Sequence, residues 1–228
     1  MQPTTADENQ PDSPKSSVPR LSILLATVEN RAELFAQLHA ELKRQSEGKP
    51  VELVVACDNK EISIGKKRQN LLEAATGDYI VYIDDDDWVA PDYVDQILAA
   101  LETSPDGVGF EIMCTFNNGR PKKAIASMRY RHWAENVDGF DFVRGLYHKT
   151  PVKREIALKC GFPDLRYSED KVYAEKVMHL AKTEVFIAKQ LYFYRFSGAE
   201  PFNKKYGIKT NRIMKGVNFA HKRRPFQH

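Results

Sequence analysis

The sequence predicts an α/β fold on a mainly parallel central sheet, with an irregular C-terminal part. Two observations predict it. Runs of strand-forming apolar residues alternate with amphipathic helical segments through the first half of the chain, at about 30 residues per cycle. Acidic residues also collect where the second and third of those runs end, and open parallel sheets bind ligands beyond the carboxyl ends of their strands. A chain of 228 residues can bury one sizeable core with a small subdomain.

The elements follow in order. "RLSILLA" reads as a buried strand ending near Ala26. "RAELFAQLHAELKRQ" sets Leu34, Phe35, Leu38 and Leu42 on one helical face. "VELVVACD" is a second strand closed by Asp58, and "IGKKRQNLLEAAT" a second amphipathic helix, with Gly77 in the position favoured past a helix C-terminus. "DYIVYID" is a third strand. Right-handed crossovers then join parallel strands. Pro91 opens a further helix, "PDYVDQILAALE", as proline does at a first helical position. Beyond it, "GVGFEIMCTF" reads as a strand and "NNGRPKK" as a turn into another. "DGFDFVRGL", "KREIALK" and "EDKVYAEKVMHLA" read as helical, and "EVFIAKQLYFYRF" as one or two late strands.

Four adjacent carboxylates, Asp84 to Asp87, follow the third strand. Like charges repel, so folding alone gains nothing from the run. A hard divalent cation wants oxygen ligands and commonly carries a bound phosphate, so Mg²⁺ or Mn²⁺ bridging a diphosphate suits such a cluster. The competing reading is a solvated acidic turn before the helix at Pro91. "YSEDKVYAEKV" also has two readings. Ser168 before Glu169 and Asp170 is a hydroxyl N-cap with first-turn acids, or the pair carries chemistry.

"LSILLATVENRAELFAQLHAEL", "VELVVACDN", "GKKRQNLLEAATGDYIVYIDDDDWVAPDYV" and "PVKREIALKCGFPDLRYSED" occur in an order that resembles family 2 glycosyltransferases of the GT-A fold, over roughly residues 20 to 196. The resemblance implies a three-layer sandwich and an inverting, metal-dependent transfer of a sugar from a nucleotide sugar to an acceptor hydroxyl. It implies Asp58 on the donor's base and Arg68 on the nucleotide or its diphosphate. Asp84 and Asp86 form an Asp-x-Asp pair, Asp84 facing the ribose and Asp86 binding Mn²⁺ or Mg²⁺. Thr27 and Glu29 would line the base pocket, although the family often has Pro-Thr-Tyr-Asn where this chain reads "ATVEN". Asp85 and Asp87 are additional acids, Asp85 being grouped with the donor-binding residues. Asp170 becomes the general base, because in-line inverting displacement needs only one.

His148 either completes the metal shell as a nitrogen ligand or is structural. Trp88 either stacks on a sugar or fills the core. Lys153 and Arg154 read as a solvated helix start or a phosphate contact, and Tyr194 and Arg195 as a closing segment near the diphosphate. The chain divides into a disordered polar leader (1–19), a transferase domain (20–202, with a nucleotide-sugar half at 20–103 and an acceptor half at 104–202) and a basic tail (203–228).

The net charge of +3 conceals an asymmetry. Eight Lys and Arg and no acid follow Glu200, so residues 1–200 carry −5. A basic tail interleaved with Phe202, Tyr206, Phe219 and Phe226 suits a polyanion or an anionic membrane surface, or is simply solvated. The acceptor stays open between a glycan, a lipid-linked glycan and hydroxymethylated DNA. Three scattered cysteines form no CxxC pair; Cys57 and Cys114, in apolar runs, read as buried free thiols of a reducing, cytoplasmic compartment. No apolar run is long enough to span a bilayer. The first strand has no glycine-rich loop, which disfavours a nucleotidylyltransferase, and no Asp-x-Asp-x-Thr, which disfavours an aspartyl phosphatase. The rival from another class is a degenerate, non-catalytic transferase that binds nucleic acid or membrane through its tail.

Overall fold

The computed structural model describes residues 18–196. Most of the expected leader and all of the basic tail lie outside them.

Strand β1 (Leu21–Val28) is buried at every residue and lies between β2 (Val51–Asp58) and β3 (Tyr79–Asp84), parallel to both. Side chains of a strand alternate between faces, and β1 does so cleanly. Leu21, Ile23 and Leu25 join one apolar cluster, with Leu38 and Leu42 of α1 (Ala32–Ser46) and Val94, Ile97 and Leu101 of α3 (Tyr93–Leu101). Leu24 and Ala26 join the other, with Leu71 and Leu72 of α2 (Ile64–Ala74), Ile156 and Ala157 of α4 (Arg154–Cys160) and Tyr173 and Val177 of α5 (Glu169–Leu180). In β3, Tyr79, Val81 and Ile83 face the first cluster and Ile80 and Tyr82 the second. The fold is a three-layer sandwich, helices on both faces of one sheet.

The sheet continues through β9 (Val152–Lys153), β5 (Gly107–Phe116), β6 (Lys122–Ala126), β8 (Phe140–Arg144) and β7 (Ala134–Val137). The last described strand, β10 (Glu184–Phe196), runs parallel to β5 and clamps the two-residue β4 (Trp88–Val89) from the other side. The longest pairings, β5–β10, β1–β2 and β1–β3, are all parallel.

Several local expectations are corrected. "DGFDFVRGL" is not a helix: Asp138 and Gly139, both at positive φ (53° and 80°), turn β7 back into β8. Such a pair matches the twist of a hairpin, and Phe140 and Phe142 alternate with Asp141 and Val143 as a strand requires. Gly77 does not cap α2 in the left-handed conformation. The helix ends at Ala75 in extended backbone, and Gly77 is required by close approach, since a Cβ there would lie 2.7 Å from Ser22 Oγ. Pro91 sits in the turn before α3 rather than inside it. Cys57 is exposed, because β2 is an edge strand, while Cys114 and Cys160 are buried; all three are free thiols.

Candidate active site

Three strand ends converge on one edge. Register brings Val28 opposite Asp58 and Ala26 opposite Asp84, and a tight turn follows Asp84, with the Asp87 N–H donating to the Asp84 carbonyl at 3.1 Å. The turn sends the four aspartates in different directions.

Asp85 points down. It accepts from Thr27 Oγ1 at 2.9 Å and from Arg31 at 2.5 Å, and is buried. Thr27 and Asp85 therefore bond to each other beneath the cleft, and Glu29 is exposed on a short turn beside it. Asp87 is also buried. Its carboxylate accepts from Lys149 Nζ, from Tyr192 Oη at 2.7 Å and from the Arg195 N–H at 2.9 Å, tying β10 to the acidic turn. Burial pushes the Asp87 carboxyl up to about 6 against the pull of Lys149. Burial likewise opposes the Lys149 charge, but Asp84 and Asp87 overcome it and hold the ammonium protonated. Asp84 and Asp86 remain partly open, at 12% and 18% side-chain exposure.

The cations inside the acidic edge are thus the protein's own: Arg31 on Asp85 and Asp86, Arg68 on Asp84 and Glu169, Lys149 on Asp84 and Asp87, and Lys67 on Asp58. Burial works against the ionised Asp58 carboxylate, and Lys67 outweighs it. Sequence reasoning found Arg68 and missed Arg31, Lys67 and Lys149. Lys67 and Lys149 adjoin candidates already chosen, Arg68 and His148, which was the available signal. Arg31 gave none, since its reach depends on the turn after β1.

Arg68 also links the two ends of the site. Its guanidinium bridges Asp84 at the end of β3 (2.9 Å) and Glu169 at the start of α5. Glycine makes this possible. A Cβ on Gly65 would lie 2.0 Å from the Pro163 carbonyl oxygen, so only glycine lets α2 pack against the loop that delivers Glu169 and Asp170. Ser63 caps α2, accepting from the Lys66 N–H at 3.0 Å, and donates to Asp164 of that loop. Ser168 does not cap α5 through its hydroxyl. It takes a left-handed conformation (φ 63°), which sets Glu169 and Asp170 at an abrupt helix start.

His148 lies between the two acids. It is 3% exposed, with Nε2 3.9 Å from Asp84 Oδ2 and Nδ1 3.9 Å from Asp170 Oδ2. Neither ring nitrogen has a hydrogen-bond partner among the described residues. Burial, reinforced by Arg68, pushes the imidazole down to about 3, so it is neutral near pH 7 and free to offer a lone pair. Burial opposes ionisation of Asp170, yet the charges of Arg144 and Arg68 hold its carboxyl below the ordinary range. Oxygen atoms of Asp84, Asp86 and Asp87 lie within 4.8 Å of one another. All three already meet the protein's own cations. Asp84 and Asp86, the partly open pair, could also hold a divalent cation. Neutral His148 stands 3.9 Å from Asp84, outside that cluster.

Asp84, His148 and Asp170, with Arg31, Lys67, Arg68 and Lys149, line a cleft of about 920 Å³, while Asp58 and Asp86 lie outside its lining. One end is walled by Val28, Lys67 and Arg68, the other by Trp133, Phe142 and Arg144, with Asp84, His148 and Asp170 between them. Trp88 is half-buried against the core and pairs with Phe193 of β10. Lys153 binds Asp106 at 2.9 Å, away from the acidic edge. Tyr194 and Arg195 do reach that edge: the Lys149 ammonium lies 4.3 Å over the Tyr194 ring, and Arg195 donates to the Asp87 carbonyl at 3.0 Å.

Residues 53–156 match the family Glycosyl transferase family 2. The Bacillus subtilis (strain 168) protein EpsH, a glycosyltransferase by name, is 27% identical over 146 residues, 58% of this chain and 41% of EpsH. Among solved structures, S. aureus TarS 1-349 in complex with UDP-GlcNAc superposes with a TM-score of 0.59 at 15% identity, over 79% of this chain and 60% of TarS 1-349. A mannosyltransferase from Pyrobaculum calidifontis, PcManGT, in complex with GDP-Man and Mn²⁺, gives 0.50 at 14% identity, over 78% of this chain and 57% of that one. At such identities the superpositions speak for the fold, and this chain spans about two fifths of EpsH. Residues 53–156 thus resemble family 2 glycosyltransferases, and the described chain has a GT-A-like fold.

Proposed function

We propose that the protein transfers a sugar from a nucleotide-sugar donor to an acceptor hydroxyl, with inversion and with a divalent cation. The observation that carries this reading is His148, a buried, neutral imidazole with both nitrogens unpartnered, set between Asp84 and Asp170. A merely structural histidine would satisfy at least one nitrogen internally. The donors bound by TarS and PcManGT, UDP-GlcNAc and GDP-Man, are of the same chemical class and support the donor assignment.

Asp84, Asp86 and His148 would hold Mn²⁺ or Mg²⁺. When bound, such an ion supplies Lewis-acid stabilisation of a leaving diphosphate. Asp58 and Arg68 would face the nucleotide, with Lys67 fixing the Asp58 carboxylate. Asp85 and Thr27 support the donor end from below, and Arg31 holds the acidic turn in shape. Glu29 belongs at its rim.

At the other end, an acceptor hydroxyl would donate its hydrogen bond to Asp170. As its oxygen bonds to the anomeric carbon, the bond from that carbon to the diphosphate breaks. The electron pair leaves with the phosphate oxygen and the proton passes to the Asp170 carboxylate. One displacement inverts the centre. A positioned base of this kind contributes about 10² to 10⁴ in rate.

Among the described residues no helix is long and apolar enough to cross a membrane. Three unbridged cysteines suit a reducing compartment, which supports a cytoplasmic reading.

Asp170→Asn keeps the side-chain volume and removes the base. Transfer measured with radiolabelled donor should fall at least about a hundredfold, with nucleotide affinity and melting temperature little changed. Turnover near wild type in a folded variant would refute the assignment.

A further inference from the structure

The cations at the two ends of the cleft differ in one respect. At the donor end Arg31, Lys67, Arg68 and Lys149 are all engaged by carboxylates. At the far end the guanidinium groups of Arg131 and Arg144, which line the same cleft, form no hydrogen bond or ion pair among the described residues. The Arg144 guanidinium instead lies 3.5 Å over the ring of buried Tyr147, which fixes it without neutralising it.

An aromatic platform adjoins them. Trp133 is 41% exposed and stacks on Phe142, with centroids 5.8 Å apart and planes 23° from parallel. Phe142 and Arg144 are two apart on β8, so they share a face about 6.5 Å apart along the strand. Arg144 also helps hold the Asp170 carboxyl low, so its charge acts on the position of the base. Platform, unpaired guanidinium and base thus line the same cleft.

An exposed indole held flat offers a face to a sugar ring, and an unpaired guanidinium offers paired donors to a carboxylate or phosphate. We propose that this end of the cleft binds an acidic saccharide acceptor, its ring on Trp133 and its carboxylate or phosphate on Arg144 and Arg131. The proposal rests on the transferase reading above and adds the chemical class of its acceptor. A concave, partly aromatic wall continuous with the base suits a saccharide chain better than a flat lipid surface.

The test is calorimetric titration of the full-length protein with UDP and GDP in Mn²⁺, and with a panel of carboxylated, phosphorylated and neutral oligosaccharides of matched length. The carboxylated and phosphorylated arms distinguish the two anionic groups. At least one acidic class should bind about tenfold or more tighter than its neutral counterpart, and the preference should shrink with added salt. Arg144→Gln and, separately, exposed Arg131→Gln should reduce the preference, and Trp133→Ala should weaken acidic and neutral ligands alike, all with nucleotide affinity unchanged. Equal affinity for acidic and neutral saccharides, or no acidic saccharide bound while nucleotide binds, would overturn the proposal. So would binding to anionic phospholipid vesicles alone. Failure of the nucleotide titration itself would instead indict the transferase reading.

Discussion

Four consecutive aspartates have four surroundings, and substitution should separate them. Asp87 is buried against Lys149, Tyr192 and the β10 backbone. Asp87→Ala leaves a buried ammonium with half its partners and should destabilise the fold by about 3 kcal/mol in denaturant titrations. Asp86 is partly open and meets Arg31 at 3.2 Å, a cation that keeps Asp85 when Asp86 is lost. Asp86→Asn should therefore cost less than about 1 kcal/mol of stability while abolishing the metal-dependent part of donor binding. The sequence made the acids legible as a run at a strand end. Their division of labour was not legible, because it depends on which way a four-residue turn sends each side chain. The counter-cations were hidden for a related reason: Arg31 lies 54 residues from Asp85, and Lys149 62 from Asp87.

At the scale of elements, the strands and helices of the first half could be read from their periodicity, since β1 and β3 alternate between two apolar clusters and α1 and α2 each bury one stripe. The β7–β8 hairpin was misread as helical because its short strands leave only a few residues of pattern, and the signal lay in the turn. Gly65 gave no sign of its role, since a glycine near a helix start says nothing about a loop a hundred residues on. Gly65→Ala would drive a methyl into the Pro163 carbonyl. It should lower stability by about 1 to 3 kcal/mol and lower turnover further, as the Glu169–Asp170 segment shifts from Arg68.

Asp106 joins β5 to the start of β10, accepting from Lys153 Nζ and from the N–H groups of Lys182 and Thr183 at 2.8 to 3.2 Å. Burial works against its charge, but these partners hold the carboxyl below its ordinary value. A depressed carboxylate stabilises fully above its unfolded pKa of about 3.9. That contribution is lost as pH falls through the folded value. Wild type should therefore exceed Asp106→Asn in melting temperature near pH 7, and the difference should close only below about pH 4. A gap that persists unchanged at lower pH would mean that the charge contributes nothing.

Across the whole molecule, one sheet edge gathers residues from β1, β3, α2 and α5 into a single cleft, with the tether between its ends supplied by Arg68. The fold could be read from alternating elements and resemblance. The far end of the cleft could not, because it is built from β8 and the loop before β7, where the pattern was misread. The central claim is that the acidic edge and His148 bind a nucleotide sugar through a divalent cation. The most direct measurement is calorimetric titration of UDP-GlcNAc and GDP-mannose into wild type and Asp86→Asn, each with Mn²⁺ and with excess EDTA. Wild type in Mn²⁺ should bind one of the donors about tenfold or more tighter than in EDTA, and Asp86→Asn should show no such difference. Equal affinity in wild type with Mn²⁺ and with EDTA would contradict the account.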